Sequence, residues 1–333
     1  MITFIMEYVL LISVLVSFLL TVSFLPMWIR TCRKIGLVWE DMNKFGHPKN
    51  VAASGGIVVI MAFVLGVLSY VALKTFLFGG QVMTLEIFAL LSMILIFGLA
   101  ALVDDMLGWK RGGLPMRIRL LLAFAASVPL VVINAGTHSM SVPFIGSVNF
   151  GILYPLVLIP LAVVGVGTTY NFLAGFNGLE AGQGILILSF LSFVSYITGS
   201  AWLAVVGLCM VGALVGFWIY NKVPAKVFPG DIMTYSIGAL IAGMAILGNF
   251  EKVVLVIFIP YILEVIFKVR GRFKKYSFGV PLKDGTLKMP YDKIYGLEHL
   301  AIKVLGKGAT ERKVVYLVHA FQILFILIGF LML

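Results

Sequence analysis

Long apolar runs alternate with short polar connections along almost the whole chain. A helix of roughly 20 apolar residues crosses the ~30 Å hydrocarbon core of a bilayer, and irregular backbone cannot face lipid there. The pattern therefore predicts an all-α integral membrane protein. About ten spans are predicted, at residues 6–29, 51–73, 85–103, 118–135, 152–170, 184–199, 201–220, 232–248, 252–268 and 314–333.

The composition indicates that lipid surrounds most of the chain. Of the 333 residues, 61% are hydrophobic and 12% are charged, and the mean hydropathy is +1.10. In soluble domains about a quarter of the residues are charged. The first apolar run is too long for a signal peptide and has no small-residue cleavage site, so it is interpreted as the first span. No separate soluble domain is visible, and residues 1–333 are predicted to form a single polytopic catalytic domain.

The placement of the basic residues predicts the orientation in the membrane. The formal net charge is +11. If both termini lie outside, only Lys74 and Lys252 of the 25 Lys and Arg residues fall in outer connections. Such an excess of cytosolic basic residues is the usual topological signal of membrane proteins. Nucleic acid is not a predicted partner, because basic and aromatic residues are not interleaved in any recognised binding module.

Polar residues that can perform chemistry fall in the predicted cytosolic connections. The outer connections are short or uncharged, and one of them, residues 139–147, is expected to form a small hairpin. On the cytosolic side lie Glu40–Asp41, Asp104–Asp105, residues 171–183 and Asp231. We therefore expect an active site on the cytosolic side, where these loops converge.

The longest hydrophilic segment, Lys268 to Lys313, has internal order. Asp284-Gly285 is a strong two-residue hairpin signal between residues 278–283 and 286–291. The following stretch predicts a helix lying in the membrane interface. Its predicted apolar face carries Ile294, Leu297, Ala301, Val304 and Leu305, with Lys293, Glu298 and Lys303 elsewhere.

Asp104 and Asp105 follow an apolar run and are expected at the cytosolic end of a spanning helix. One interpretation is a solvated helix end that pairs with Lys110 and Arg111. The other is functional, because ionisable groups at membrane level are costly and usually face a polar pathway. Adjacent carboxylates suit Mg²⁺ binding with phosphates, or removal of a proton from an attacking group.

Amides and glycines interrupt the apolar sequence between residues 168 and 184. The segment is either an ordinary turn between two helices, with Asn side chains at their ends, or a binding loop. In a binding loop the glycines, Gly178 among them, would let backbone N–H groups approach an anion or a base. Asn171, Asn177 and Glu180 would then supply specific polar contacts.

Asp231 follows Phe228-Pro-Gly and precedes an apolar helix. It can cap that helix, or hold Mg²⁺ beside a pyrophosphate at the helix N-terminus, and both interpretations stay open. Several basic residues can neutralise phosphates or only set the topology. These residues are Lys44, Arg117, Arg119, Arg270, Arg272, Lys274 and Lys275.

Four motifs, in their order along the chain, resemble those of the polyprenyl-phosphate N-acetylhexosamine-1-phosphate transferases. They are Asp41-Met-Asn-Lys44, Val103-Asp-Asp-Met-Leu-Gly108, Asn171-Phe-Leu-Ala-Gly-Phe-Asn-Gly-Leu-Glu180 and Phe228-Pro-Gly-Asp231. The third motif is more similar to the archaeal and eukaryotic dolichyl-phosphate GlcNAc-1-phosphate transferases. The bacterial MraY type carries an acidic residue where Ala174 stands.

The resemblance implies transfer of GlcNAc-1-phosphate from UDP-GlcNAc to a dolichyl or other polyprenyl phosphate, with release of UMP. It implies Mg²⁺ as cofactor, with Mn²⁺ as an alternative, and the cytosolic side of a cell or ER-type membrane, at the first step of N-glycan lipid assembly. A homodimer is left open. The alternatives are a related phosphotransferase that uses another UDP-N-acetylhexosamine, and a secondary transporter. A transporter predicts polar groups at the midplane and a two-half repeat, which the sequence does not show.

The resemblance also implies roles for individual residues. Asp104 and Asp105 match the catalytic pair, Asn171 and Asp231 match Mg²⁺ ligands, and Asn177 matches a contact to uracil. Arg119 stands where the family usually has a lysine that contacts phosphate, so it is assigned with the catalytic residues. The predicted substrate-binding residues are Lys44, Asn177, Gly178, Glu180, Arg272, Lys274 and Lys275; the last three are candidates because the basic or His-containing motif of the last loop is not clearly reproduced.

Overall fold

A computed structural model describes residues 2–77, 83–111, 113–142 and 146–333. Seven helices of this described part are long and apolar enough to cross a membrane. They confirm the all-α membrane class. Their bounds are α1 (Ile2–Ile35), α2 (Gly56–Leu77), α3 (Thr84–Arg111), α6 (Leu179–Ile197), α7 (Ala201–Asn221), α8 (Gly230–Gly248) and α12 (Glu311–Phe330).

The other three predicted spans are shorter or interrupted helices. One is α4 (Met116–Val132), and another is a π-helical turn at Tyr154–Leu158 that continues into α5 (Ile159–Tyr170). The third is split into α9 (Glu251–Ile257) and α10 (Ile259–Arg270). Pro160 and Pro260 stand at the starts of α5 and α10, where a missing amide hydrogen prevents a regular continuation of the preceding helix. The count of ten spans stays a prediction.

Helix α8 lies at the centre of the bundle, and 83% of its apolar window is buried. It packs against α3 and α5. Small residues allow this close approach, since a Cβ added at Gly238 would lie 2.7 Å from the Cα of Gly167 in α5. The adjacent ends of α3, α5 and α8 are thereby held together.

Two antiparallel strand pairs lie at the helix ends. Strands β1 (Val38–Glu40) and β2 (Lys49–Ala52), which sequence patterns do not predict, carry the 41–48 loop between α1 and α2. Strands β3 (Ser139–Val142) and β4 (Gly146–Asn149) confirm the expected surface hairpin. Residues 143–145 of its turn lie outside the described part of the chain.

The last hydrophilic segment forms a hairpin with much shorter strands than expected. Strand β5 (Val280–Pro281) pairs with β6 (Leu287–Lys288). The amide of Leu282 donates to the carbonyl of Thr286 at 2.8 Å, so residues 283–285 form the turn. Gly285 occupies it with φ +81°. The prediction of a two-residue turn at Asp284-Gly285 is therefore wrong, because the turn has three residues.

Helix α11 (Leu297–Leu305) follows the hairpin and leads into a 3-10 turn at Gly306–Gly308. Leu297 and Ala301 of the predicted apolar face are buried, but Val304 of that face is 67% exposed and Glu298, predicted to lie elsewhere, is fully buried. The predicted position of α11 in the membrane interface stays a prediction.

Candidate active site

A cavity of about 950 Å³ opens at one end of the bundle. Helices α3 and α5 end near it, and α4, α6 and α8 begin there. The structure thus brings together side chains that lie far apart in the sequence. Those predicted residues that line it are Asp104, Asp105, Arg119, Asn171, Asn177, Glu180 and Asp231.

Asp105 caps the N-terminus of α8 from the neighbouring helix α3. Its Oδ1 accepts from the amide of Asp231 at 2.9 Å and its Oδ2 accepts from the amide of Ile232 at 3.3 Å. Gly230 has φ +71°, and a Cβ there would overlap the Asp105 carboxylate. The capping interpretation of Asp231 is therefore wrong, because the carboxylate that accepts these N–H groups belongs to Asp105.

The carboxylate of Asp231 is consequently available to the cavity. Its Oδ1 accepts from Asn171 Nδ2 at 3.1 Å. The Asn171 Oδ1 accepts in turn from the hydroxyl of Thr234 at 2.9 Å, which orients the amide. One acid and one amide, the two predicted metal ligands, therefore lie side by side.

Arg119 faces two of the three acids. Its Nη1 lies 3.2 Å from Asp104 Oδ2 and 3.9 Å from Asp231 Oδ2, and the guanidinium donates to the Tyr235 hydroxyl. Asp104 also accepts from the amide of Leu114. Three carboxylates with one guanidinium leave this part of the cavity with a net negative charge, which favours a divalent cation.

The donor set fits Mg²⁺ that is shared with a substrate. Among the described residues, no group of three or more His, Cys, Asp and Glu side chains forms a ready metal site. However, Mg²⁺ usually keeps waters and binds through one or two carboxylates together with substrate phosphates. The Asp231 carboxylate is a donor of that kind, beside Asp104. The Asn171 amide presents its NH₂ group to Asp231 and its oxygen to Thr234, so the amide would have to turn over for its oxygen to join Asp231 at a shared cation.

A second polar cluster joins the 41–48 loop to Asn177 and to Glu311 at the start of α12. Asn177 donates through Nδ2 to Asp41 Oδ2 at 2.8 Å and through its backbone amide to Glu311 Oε1 at 2.9 Å. Lys44 forms an ion pair with Glu311 and lies 3.7 Å from Asp41. Burial lowers the pKa of Lys44, and Asp41 opposes that shift. The ammonium is therefore engaged by protein carboxylates on this side of the cavity.

Residues 276–281, which we call the cavity wall, close the same side. The amide of Gly279 donates to Asn43 Oδ1 at 3.1 Å, and Asn43 Nδ2 donates to the Gly175 carbonyl at 2.7 Å. Gly175 has φ +107°, and a Cβ there would lie 2.8 Å from the Phe278 ring. Three loops are thus joined through Asn43.

Two predicted substrate-binding residues shape the loop between α5 and α6. Glu180 accepts from the amide of Gly175 at 2.9 Å. Gly178, with φ +85°, donates from its amide to Asn221 Oδ1 at 3.0 Å. These bonds hold the loop in place, and direct contact of either residue with substrate stays a prediction.

Arg272, Lys274 and Lys275 do not line the cavity. Lys275 Nζ lies 4.7 Å from the ring centre of Tyr291, which does line it. Their substrate contacts stay predictions.

Sequence reasoning missed two residues of this region, Glu311 and Asn43. No local pattern connects Glu311 with Asn177. Asn43 lies inside the first quoted motif and could have been found there.

The chain is similar to known membrane transferases over most of its length. A model of glycosyl transferase family 4 matches residues 87–249. A protein of Saccharolobus solfataricus, provisionally named UDP-N-acetylglucosamine–dolichyl-phosphate N-acetylglucosaminephosphotransferase, is 34% identical over 96% of this chain and 95% of its own. The enzyme of that name from Dictyostelium discoideum is 30% identical over 77% of this chain and 70% of its own. A phospho-N-acetylmuramoyl-pentapeptide-transferase of Halalkalibacterium halodurans is 28% identical over 80% and 86%.

The apolar helices and these similarities define an integral membrane enzyme of the glycosyl- and phosphotransferase class. Within that class the chain belongs to glycosyl transferase family 4. The resemblance inferred from the four motifs is confirmed.

Proposed function

We propose that this chain transfers GlcNAc-1-phosphate from UDP-GlcNAc to a dolichyl or other polyprenyl phosphate and releases UMP. The observation that carries this proposal is the gathering of Asp104, Asp105, Asn171 and Asp231 in one cavity at the helix ends. The names of the archaeal and Dictyostelium relatives support the two substrates.

The position of the cavity suits one soluble and one lipid substrate. A polyprenyl phosphate keeps its tail in lipid and its phosphate at the interface, whereas a nucleotide sugar arrives from water. We place the cavity on the cytosolic side because the basic residues are concentrated in the connections at that end.

Ten passes through the membrane are part of the proposal. Arg119 near the start of α4 and Asn171 just after α5 both line the cavity. At the other end of the bundle, the amide of Thr137 after α4 donates to Asn249 Oδ1 after α8, at 2.8 Å. Helix α4 therefore runs between the same two ends as α8. At ~1.5 Å per residue its length approaches a hydrocarbon core.

We propose that each polar side chain has one task. Asp231 with Asn171 would hold Mg²⁺, which would neutralise the diphosphate of the donor. Arg119 stabilises negative charge on the phosphates. Asp105 fixes the start of α8 and hence Asp231, while Asp104 orients Arg119. The lipid phosphate oxygen forms a bond to the sugar-linked phosphorus as the bond to UMP breaks.

This direct displacement is preferred to a covalent aspartyl intermediate. The oxygens of Asp105 accept from two backbone amides, and those of Asp104 face Leu114 and Arg119. A carboxylate engaged in this way is a weaker nucleophile. Initial-rate kinetics with both substrates varied should show a sequential pattern; a ping-pong pattern would favour the covalent scheme.

The decisive assay uses purified protein, dolichyl phosphate, Mg²⁺ and UDP-GlcNAc labelled in the sugar. We expect UMP and a lipid-linked GlcNAc diphosphate in equal amounts. A chelator should stop the reaction, and Mg²⁺ or Mn²⁺ should restore it. UDP-GalNAc and UDP-MurNAc-pentapeptide are tested in parallel. Preference for one of these would replace the proposed sugar, and no product from any of them would contradict the enzyme proposal.

A further inference from the structure

Behind the cavity wall lies a group of buried ionisable side chains, which we call the buried charge cluster. It consists of Glu264 and Lys268 on α10 with Glu298 and His299 on α11. Glu264, Glu298 and His299 have no exposed surface. None of the four lines the cavity, and the proposed mechanism uses none of them.

Lys268 connects this cluster to the wall. Its Nζ lies 3.2 Å from Glu264 Oε1 and donates to the hydroxyl of Ser277 at 2.5 Å. Glu264 Oε2 also accepts from the amide of Leu297 at 2.7 Å, at the start of α11. Through these hydrogen bonds, the ion pair between Glu264 and Lys268 joins α10 to the start of α11 and to the wall.

His299 faces the wall from the other helix. Its Nδ1 accepts from the amide of Tyr295 at 3.3 Å, which requires the proton to be on Nε2. The ring packs beside the backbone of residues 276–278, and burial lowers the pKa of His299 to about 4. The ring is thus neutral and lies against the wall, although its Nε2–H has no hydrogen-bond partner in the described part of the chain.

Glu298 and Glu264 approach each other at Gly296. A Cβ added at Gly296 would lie 2.7 Å from Glu298 Oε2 and 3.0 Å from Glu264 Oε1. Neither oxygen of Glu298 has a hydrogen-bond partner in the described part of the chain. Burial raises the pKa of Glu298 well above its usual range, and the nearby Glu264 raises it further. With Glu298 protonated, one negative charge faces the Lys268 ammonium.

Stability alone does not explain such a cluster. A buried ion pair is often no more stabilising than apolar side chains of the same volume, whereas the loss of one partner is costly. The charged groups instead provide geometric specificity, because each of their hydrogen bonds requires one relative position of α10, α11 and the wall.

We propose that the buried charge cluster is a positioning device that fixes the cavity wall 276–281 for binding of the nucleotide-sugar donor. This inference rests on the proposed function. The wall bonds through Gly279 to Asn43, which bonds to the Gly175 carbonyl in the loop that carries Asn177. Displacement of the wall therefore acts on this side of the cavity rather than on Asp104 and Asp231.

The test compares Ser277→Ala, Lys268→Met and Lys268→Arg with the control Lys303→Met, which removes an exposed lysine of α11. Ser277→Ala removes only the hydroxyl that accepts from Lys268, so it keeps the proposal testable if Lys268→Met does not fold. Two quantities are measured. They are hydrogen exchange of the wall amides without substrate, and KM and kcat for UDP-GlcNAc and dolichyl phosphate.

We expect faster exchange in the wall and a KM for UDP-GlcNAc raised about ten-fold, the scale for one hydrogen bond to a charged group. The KM for the lipid and kcat should stay within about two-fold, and Lys268→Arg should recover part of the loss. Lys303→Met should resemble the unmodified protein.

Unchanged wall exchange in folded Ser277→Ala and Lys268→Met would overturn the proposal, and so would equal effects on both substrates. If the unmodified protein catalyses no transfer, the proposed function fails. Wall exchange then still decides whether the cluster positions residues 276–281.

Discussion

The two halves of the cavity are built in different ways. The helix-end half consists of Asp104, Asp105, Arg119, Asn171 and Asp231, which lie on or next to the ends of α3, α4, α5 and α8. The loop half consists of Asp41, Asn177 and the cavity wall, which line the cavity. Asn43, Lys44 and Glu311 bond to this lining from behind. In the helix-end half, packing of helices around α8 places the groups. In the loop half, individual side-chain hydrogen bonds place them.

This difference indicates that the two halves affect different steps of the reaction. Groups on packed helices hold their geometry to a fraction of an ångström, which phosphoryl transfer requires. Groups on loops depend on one or two bonds each, so a change there should alter binding more than the chemical step. Variants in the helix-end half should therefore lower kcat, and variants in the loop half should raise KM.

The largest effect is expected for Asp231→Asn. The change removes a carboxylate charge but keeps the shape of the side chain, so a metal ligand is weakened without a change in packing. We expect kcat to fall by ~10²-fold or more with little change in thermal stability, and a shift to higher Mg²⁺ requirement. Asp292→Asn, at an exposed position, is the control. A rate within a few-fold of normal would remove Asp231 from the metal site.

Asp105→Asn should be nearly as damaging for another reason. An amide NH₂ group would face the backbone N–H of Asp231 or Ile232, so the N-terminus of α8 would lose an acceptor. We expect ~10²-fold lower turnover and a loss of stability on the order of 1–3 kcal/mol. Thermal unfolding in detergent measures the second effect. Lost activity at full stability would instead favour a purely catalytic role for Asp105.

In the loop half, Glu311→Gln should act mainly on the donor. The variant weakens the ion pair with Lys44 and the bond from the Asn177 amide. We expect the KM for UDP-GlcNAc to rise about ten-fold, with kcat little changed. A double-mutant cycle with Lys44→Met measures the coupling of the pair. Equal losses in kcat and kcat/KM would place Glu311 with the chemical step instead.

The smallest effect concerns pH. The pKa of His299 is about 4 in the folded protein against 6.5 for the free side chain. The unfolded chain therefore binds more protons between these values. The free energy of unfolding carries no penalty from His299 above pH 6.5, and it decreases as the pH falls toward 4. We expect the unfolding temperature to fall less steeply with acidification in His299→Gln than in the unmodified protein or in His138→Gln. Parallel pH profiles would contradict this origin.

Local patterns determined most of the membrane architecture. Hydrophobic length predicted the apolar helices, and the placement of the acids and amides in connections on one side of the membrane predicted the convergence of Asp104, Asp105, Asn171 and Asp231 at one end. These features follow from short-range rules, because a span must be apolar and costly carboxylates must lie at its ends or in a polar interior.

Only the tertiary structure decided how those groups are used. Asp231 has good capping chemistry in the sequence, yet Asp105, 126 residues away, accepts the amides at the start of α8. Glu311 reaches Asn177 across 134 residues, and Glu298 turns into a buried cluster instead of toward solvent. A side chain's partners depend on which helices are neighbours in space, and that depends on the packing of the whole bundle rather than on any local pattern.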